Sequence, residues 1–173
     1  MYNKILIAVD GSESNNIAVD QGLCLAKSLK AGSVTAICVF DEGNYSTVIR
    51  DSSAEYRKIM AEESENALKY VKAKAAEMGV AVEAKTVMGR PAEVIIEESA
   101  DYDLVICATL GKTGFARVLL GSVAENVVRL AKCPVLVCRC GVTAVGHLRR
   151  PNLIFQTEKT PGPEARIKGG FSS

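Results

Sequence analysis

Four short, almost uninterrupted apolar runs constrain this chain more than any other feature: Ile5 to Val9, Val34 to Phe40, Leu104 to Ala108 and Val135 to Arg139. A strand with one wet face alternates apolar and polar residues, whereas runs this uniform must be covered on both faces, as in a parallel sheet. The segments between them carry a helical period. From about Ser14 to Lys30, Ala18, Gly22, Leu25 and Leu29 fall on one face, and the small pair Ala18 and Gly22 lets that helix sit close to the sheet. After a polar loop from Asp41 to Asp51, Ser52-x-x-Glu55 has the pattern of a capping box. It opens a long helix in which Tyr56, Met60, Ala67, Val71, Ala75 and Met78 recur, and Gly79 stops it. Val80, Val82 and Ala84 alternate with Ala81, Glu83 and Lys85, which predicts a further strand at a sheet edge. Pro91 is suited to the first position of a helix ending near Ala100, and Ser122 to Ala131 reads as the last helix. Strand and helix alternate throughout, so the fold class is α/β: five parallel strands joined by right-handed crossovers in a doubly wound, Rossmann-like sheet with helices on both faces.

The pattern ends after Cys140, dividing the 173 residues into a domain over 1–140 and an extension over 141–173. The extension has a charge of +3, from five Lys or Arg against two Asp or Glu, and Leu153, Ile154 and Phe155 are its main apolar cluster. It is expected to extend a dimer contact or stay mobile. The whole chain has net charge +1, which argues against a dedicated nucleic-acid binder, since such binding rests on clustered Lys and Arg. No apolar run approaches the roughly 20 residues that span a bilayer. The N-terminus passes straight from a short apolar run into helix-like sequence without the pattern of a signal peptide. A cytoplasmic location is expected. The six cysteines, Cys24, Cys38, Cys107, Cys133, Cys138 and Cys140, lack the paired spacings of a zinc site and are expected to be reduced and mostly buried.

Ligands of open α/β sheets bind beyond the carboxyl ends of the strands, where strand order reverses. If the first strand lies beside the fourth, Asp10 meets the loop that holds Gly111 and Gly114. Strand, glycine loop and helix N-terminus are the ingredients of an anion cradle, with Lys112 and Arg117 available to neutralise charge. Gly111-Lys112-Thr113 is not a P-loop, because that motif needs glycine at 106 and Ile106 stands there. Asp10 is equally suited to an Asx turn, and Ser122-x-x-Glu125 to a capping box. The only histidine, His147, lies in the extension, so no Ser-His-Asp or Cys-His arrangement is available in the domain.

The residues from about Tyr2 to Arg139 resemble a universal stress protein domain. The resemblance rests on Lys4 through Ser12, on Gly89-Arg90-Pro91-Ala92, on Leu110 through Glu125 and on Lys132 through Val137. It implies the strand order 3-2-1-4-5. The nucleotide-binding branch of that family has the pattern G-x2-G-x9-G-[ST]. Here Gly111 and Gly121-Ser122 match, and Ala108 replaces the first glycine. By resemblance, Ala8, Asp10 and Val39 border adenine and ribose. Ala108, Thr109, Leu110, Gly111, Lys112, Thr113 and Gly114 wrap the phosphates, joined by Gly121, Ser122 and Val123. The resemblance further implies a stress-response regulator that binds ATP or AMP, with or without Mg²⁺. It implies slow hydrolysis at most, a homodimer through the strand Val135 to Arg139, and a regulatory protein partner. Ala108 keeps open an alternative, a dimeric interaction module of the same fold that binds no nucleotide.

Overall fold

A computed structural model describes residues 2–41, 53–109 and 120–139. Five strands, β1 (Lys4–Val9), β2 (Ser33–Phe40), β3 (Glu83–Met88), β4 (Leu104–Ala108) and β5 (Val135–Cys138), form one sheet in the order β3-β2-β1-β4-β5. Every pairing is parallel. The helices are α1 (Asn16–Leu29), α2 (Ser53–Met78), α3 (Pro91–Glu98) and α4 (Ser122–Leu130), with short 3-10 turns at Glu13–Asn15 and Ser99–Asp101. The expected fold class and strand order are both found. The extension 141–173 lies outside the described residues, as does Ser52 with its expected cap.

The sheet separates two cores, as continuous apolar strands require. On one face Ile5, Ile7, Val34 and Ile106 pack with Val19 and Leu23 of α1 and Val71 of α2. On the other, Leu6, Ile37, Val105 and Cys107 meet Ile95 of α3 and Val127 of α4. Each fully buried Ile, Leu or Val contributes about 1.5–3 kcal/mol of transfer free energy, so the central strands carry much of the stability. The close approach of α1 is real: a Cβ on Gly22 would stand 2.8 Å from Ile7 Cδ1.

Three sequence expectations need correction. The third strand is Glu83–Met88, shifted along the chain from the alternation that began at Val80. Val80 and Val82 are partly buried against the core, so they alternate because they pack on the way from α2 to the sheet. As expected, β3 is an edge strand, but its faces are the reverse of that alternation: Ala84, Thr86 and Met88 are exposed, while Val87 and Lys85 are half-buried, Lys85 paired with Glu98. The cap of α4 is Gly121, in an extended conformation, and Ser122 is already the first helical residue. Its hydroxyl therefore does not close a capping box. The last strand ends at Cys138, leaving Arg139 beyond it.

Among the described cysteines Cys38, Cys107 and Cys138 are buried, and all five are free thiols. Burial pushes Cys107 up to about 11 and Cys138 up to about 12, so both stay protonated and inert at neutral pH. No group of three or more His, Cys, Asp or Glu among the described residues is arranged to hold a metal ion.

Two contacts fix how β1 ends. At its start, Asp103 Oδ2 accepts the backbone N–H groups of Lys4 and Asn3, both at 2.8 Å, tying β1 to the entry of β4. These bonds hold the Asp103 carboxyl below its usual range. At its exit, Gly11 turns the chain at φ +76, and a Cβ there would lie 2.8 Å from Ala67 Cα on α2. Gly11→Ala combines left-handed strain with a backbone collision, together about 3 kcal/mol. Thermal unfolding should show a Tm lower by roughly 6–12 °C; an unchanged Tm would show that α2 yields at no cost.

Candidate functional site

The pairing of β1 with β4 stops at Ile7 opposite Ile106. The pairing of β1 with β2 continues to Val9 opposite Cys38, and that of β4 with β5 to Ala108 opposite Cys138. The two halves of the sheet therefore part at their carboxyl ends. A cavity of about 570 Å³ opens there, reaching from β2 across β1 to the first turn of α4. This is the switch point of an open α/β sheet.

Its floor is apolar, formed by Ala8, Ile37, Val39, Cys107 and Ala108, with Ile95 of α3 closing one side. Burial of these residues follows from the two-sided core, so the floor is simply where the covered sheet runs out. A flat, uncharged ring fits such a surface.

The polar side is built by turns. Asp10 Oδ1 accepts the backbone N–H of Ser12 at 2.9 Å and its hydroxyl at 2.7 Å, an Asx-type turn that carries the chain from β1 into the 3-10 segment. Asp10 thus shapes the turn and also lines the cavity, so its two expected roles coexist. Thr109 N–H donates to Cys138 O at 3.0 Å, and Gly121 N–H donates to Thr109 O at 2.7 Å. The second bond joins the two ends of the glycine loop and sets the N-terminus of α4 against the end of β4. Gly121, Ser122 and Val123 then face the cavity with the first turn of a nine-residue helix. Because Ser122 is not spent on a cap, its exposed hydroxyl remains at the cavity. The first N–H groups of a helix have no intrahelical partner and favour an anion.

Of the residues expected at the site, Ala8, Asp10, Val39, Ala108, Thr109, Gly121, Ser122 and Val123 all line this cavity. Leu110, Gly111, Lys112, Thr113 and Gly114 lie outside the described residues. Ala108 sits in regular strand, and among the described residues only Lys30 combines a side chain with positive φ. The alanine therefore imposes no backbone strain where the motif has glycine.

Sequence reasoning missed Asn15, Asp41 and Glu63, which also line the cavity. Glu63 is one helical turn before Ala67, and the contact of Ala67 with Gly11 is what brings that part of α2 to the crevice. No local pattern announces such a long-range approach. Asn15 carried a weak signal, as a polar residue followed closely by apolar helix positions. Among the described residues, the lining holds three carboxylates, Asp10, Asp41 and Glu63, but no Lys, Arg or His.

Residues 1–139 match the Universal stress protein family. Universal stress protein MJ0531 of Methanocaldococcus jannaschii is 40% identical over 142 residues, covering 80% of this chain and 83% of its own length. The solved structure of MJ0577, a universal stress protein of the same organism, superposes with TM-score 0.73 at 33% identity, covering 83% of this chain and 99% of that one. A universal stress protein solved in complex with cAMP superposes with TM-score 0.57 at 25% identity, covering 79% and 96%. With the strand order, the split between β1 and β4 and a match over residues 1–139, the chain belongs to the universal stress protein family.

Proposed function

We propose that this protein is a cytoplasmic stress-response regulator that binds an adenine nucleotide, ATP or AMP, in the crevice between β1 and β4. The observation that carries this reading is one cavity that joins an apolar floor to a helix N-terminus. A purine stacks on Ala8, Val39 and Ala108, and the phosphates lie towards Gly121, Ser122 and Val123. The glycine loop, Leu110 to Gly114, wraps them and brings Lys112. The relative bound to cAMP supports an adenine ligand. ATP carries enough charge that Mg²⁺ accompanies it. Hydrolysis is slow at most, because among the described residues the crevice lining offers no nucleophile paired with a general base. The nucleotide state alters binding to a regulatory protein partner.

Acid extracts of the purified protein should release adenine nucleotide, and calorimetry should detect ATP with Mg²⁺ binding to the stripped protein. Gly121 has φ −71, which valine tolerates. Gly121→Val fills the cradle and should weaken binding more than tenfold while lowering Tm by no more than about 4 °C. An empty extract together with flat calorimetry would sink the nucleotide reading.

The alternative, an interaction module without nucleotide, draws on Ala108 alone. Since its backbone is unstrained, Ala108→Gly should change ATP affinity by less than about threefold. A gain of a hundredfold would mean that the native site has drifted from nucleotide use.

The two free edges of the sheet differ. Glu83 and Lys85 place charge along β3, whereas β5 presents Val135, Leu136 and Val137, with Leu136 36% exposed. Charged side chains guard an edge strand against pairing, and an apolar edge invites it. A second copy pairs along Val135 to Arg139, and the extension 141–173 follows the domain 1–140 from the end of that strand. Leu136→Arg should convert a dimer to monomer in sedimentation experiments; a sedimentation profile identical to that of the wild type would place the contact elsewhere.

A further inference from the structure

Asn15 is the most buried polar residue of the crevice lining, only 5% exposed, and nothing above gives it a role towards ligand. Its place follows from the backbone. Lys4 directs its carbonyl to the β4 side, where Asp103 N–H donates to it at 2.8 Å, and alternate residues of a strand share that direction. Ala8, two alternations on, points its carbonyl the same way, into the gap left where the β1–β4 ladder ends. Asn15 Nδ2 donates to that carbonyl at 3.0 Å. The bond fixes the amide's orientation, since an oxygen facing the carbonyl would be repelled.

The amide oxygen is then turned away from Ala8, and no donor among the described residues reaches it. A buried amide acceptor left unsatisfied is unusual in a folded protein and calls for a partner. A phosphate cannot supply one, because its oxygens only accept at neutral pH. Asn15 stands at the junction of β1 and β4, with the purine floor around Val39 on one side and the first turn of α4 on the other. The part of a nucleotide that joins base to phosphate is the sugar, and its hydroxyls are donors.

We propose that Asn15 is a specificity residue of the crevice, its Oδ1 accepting a hydrogen bond from a ribose hydroxyl of the bound nucleotide. The inference rests on the nucleotide reading given above and adds a preference for ribose over deoxyribose. It assigns Asn15 two functions at once. Nδ2 stabilises the split of the sheet, and Oδ1 reads the ligand that the split admits.

The test compares AMP, 2′-deoxy-AMP and 3′-deoxy-AMP by calorimetry on the wild type and on Asn15→Ser, whose hydroxyl is too short to reach the sugar. Wild-type protein should bind one of the two deoxy nucleotides about tenfold more weakly than AMP, the loss expected of one hydrogen bond. In Asn15→Ser that ratio should fall below about threefold. Each ratio is taken on one protein, so any loss of stability in the variant cancels. Should Asn15→Ser fail to fold, Asn15→Thr serves the same comparison. A wild-type ratio under twofold for both deoxy nucleotides overturns the proposal without any variant. A ratio preserved in the variant, as a resident water on the amide would give, also overturns it. Neither result touches the nucleotide reading; wild-type protein that binds no AMP at all removes both.

Discussion

The site depends on where two parallel strands stop pairing. Strands β1 and β4 are held together at their start by Asp103 and released after Ile7 and Ile106. Separation of buried strands leaves backbone groups that must find other partners, since an unpaired buried carbonyl or N–H is costly. One bond meets that requirement directly, and two others shape the opening beside it. Asn15 occupies the Ala8 carbonyl, Asp10 gathers Ser12 into a turn, and Thr109 accepts the N–H of Gly121. Each of them also delivers a polar group or a helix terminus to the cavity. The polar side of the cavity is therefore built where the sheet parts.

Much of the fold was legible because burial on two faces leaves a strong signature. Ile5, Leu6 and Ile7 are all fully buried, and no amphipathic pattern competes with a strand there. The edge strand was less legible. Its true span, Glu83 to Met88, alternates between exposed and half-buried positions, and the preceding Val80 and Val82 extend the same alternation for a different reason. Period two marks a strand only while the chain is hydrogen-bonded to a neighbour, and sequence alone does not say where that bonding begins. The cap of α4 went astray on a similar ambiguity. Gly121 and Ser122 are both acceptable caps, and the bond from Gly121 to Thr109 decides between them.

The candidate site divides in the same way. Asp10 at a strand end and Ser122 at the helix start were reachable from the order of elements, whereas Ala8 and Thr109 were implied only by the family resemblance. Those that arrive by tertiary packing were reachable by neither route. Glu63 reaches the crevice because Gly11, at φ +76, lets β1 exit directly beneath Ala67. The glycine was visible in sequence, but Ala67, the helix residue it admits, lies more than fifty residues further on. Asn15 belongs between the two classes. It was visible as a polar residue near a helix start, and its meaning came only from the direction of the Ala8 carbonyl.

Among the described residues, the groups that line the cavity are suited to holding a ligand. Cys107, the nucleophile type nearest the floor, is buried and kept protonated by desolvation. Asp10, Asp41 and Glu63 line the cavity, and Asp10 is already engaged with Ser12. An apolar floor, a helix terminus and fixed amide groups discriminate by shape and hydrogen bonding, and none of them moves a proton. Such a site changes its protein chiefly by being filled. On the nucleotide reading, a filled crevice would bridge the two halves of the sheet where their own pairing is missing. On that reading, occupancy would act on the relative position of β4, α4 and β5, the elements that carry the exposed apolar edge. Such a coupling is, on the proposed reading, the route by which a nucleotide would regulate association.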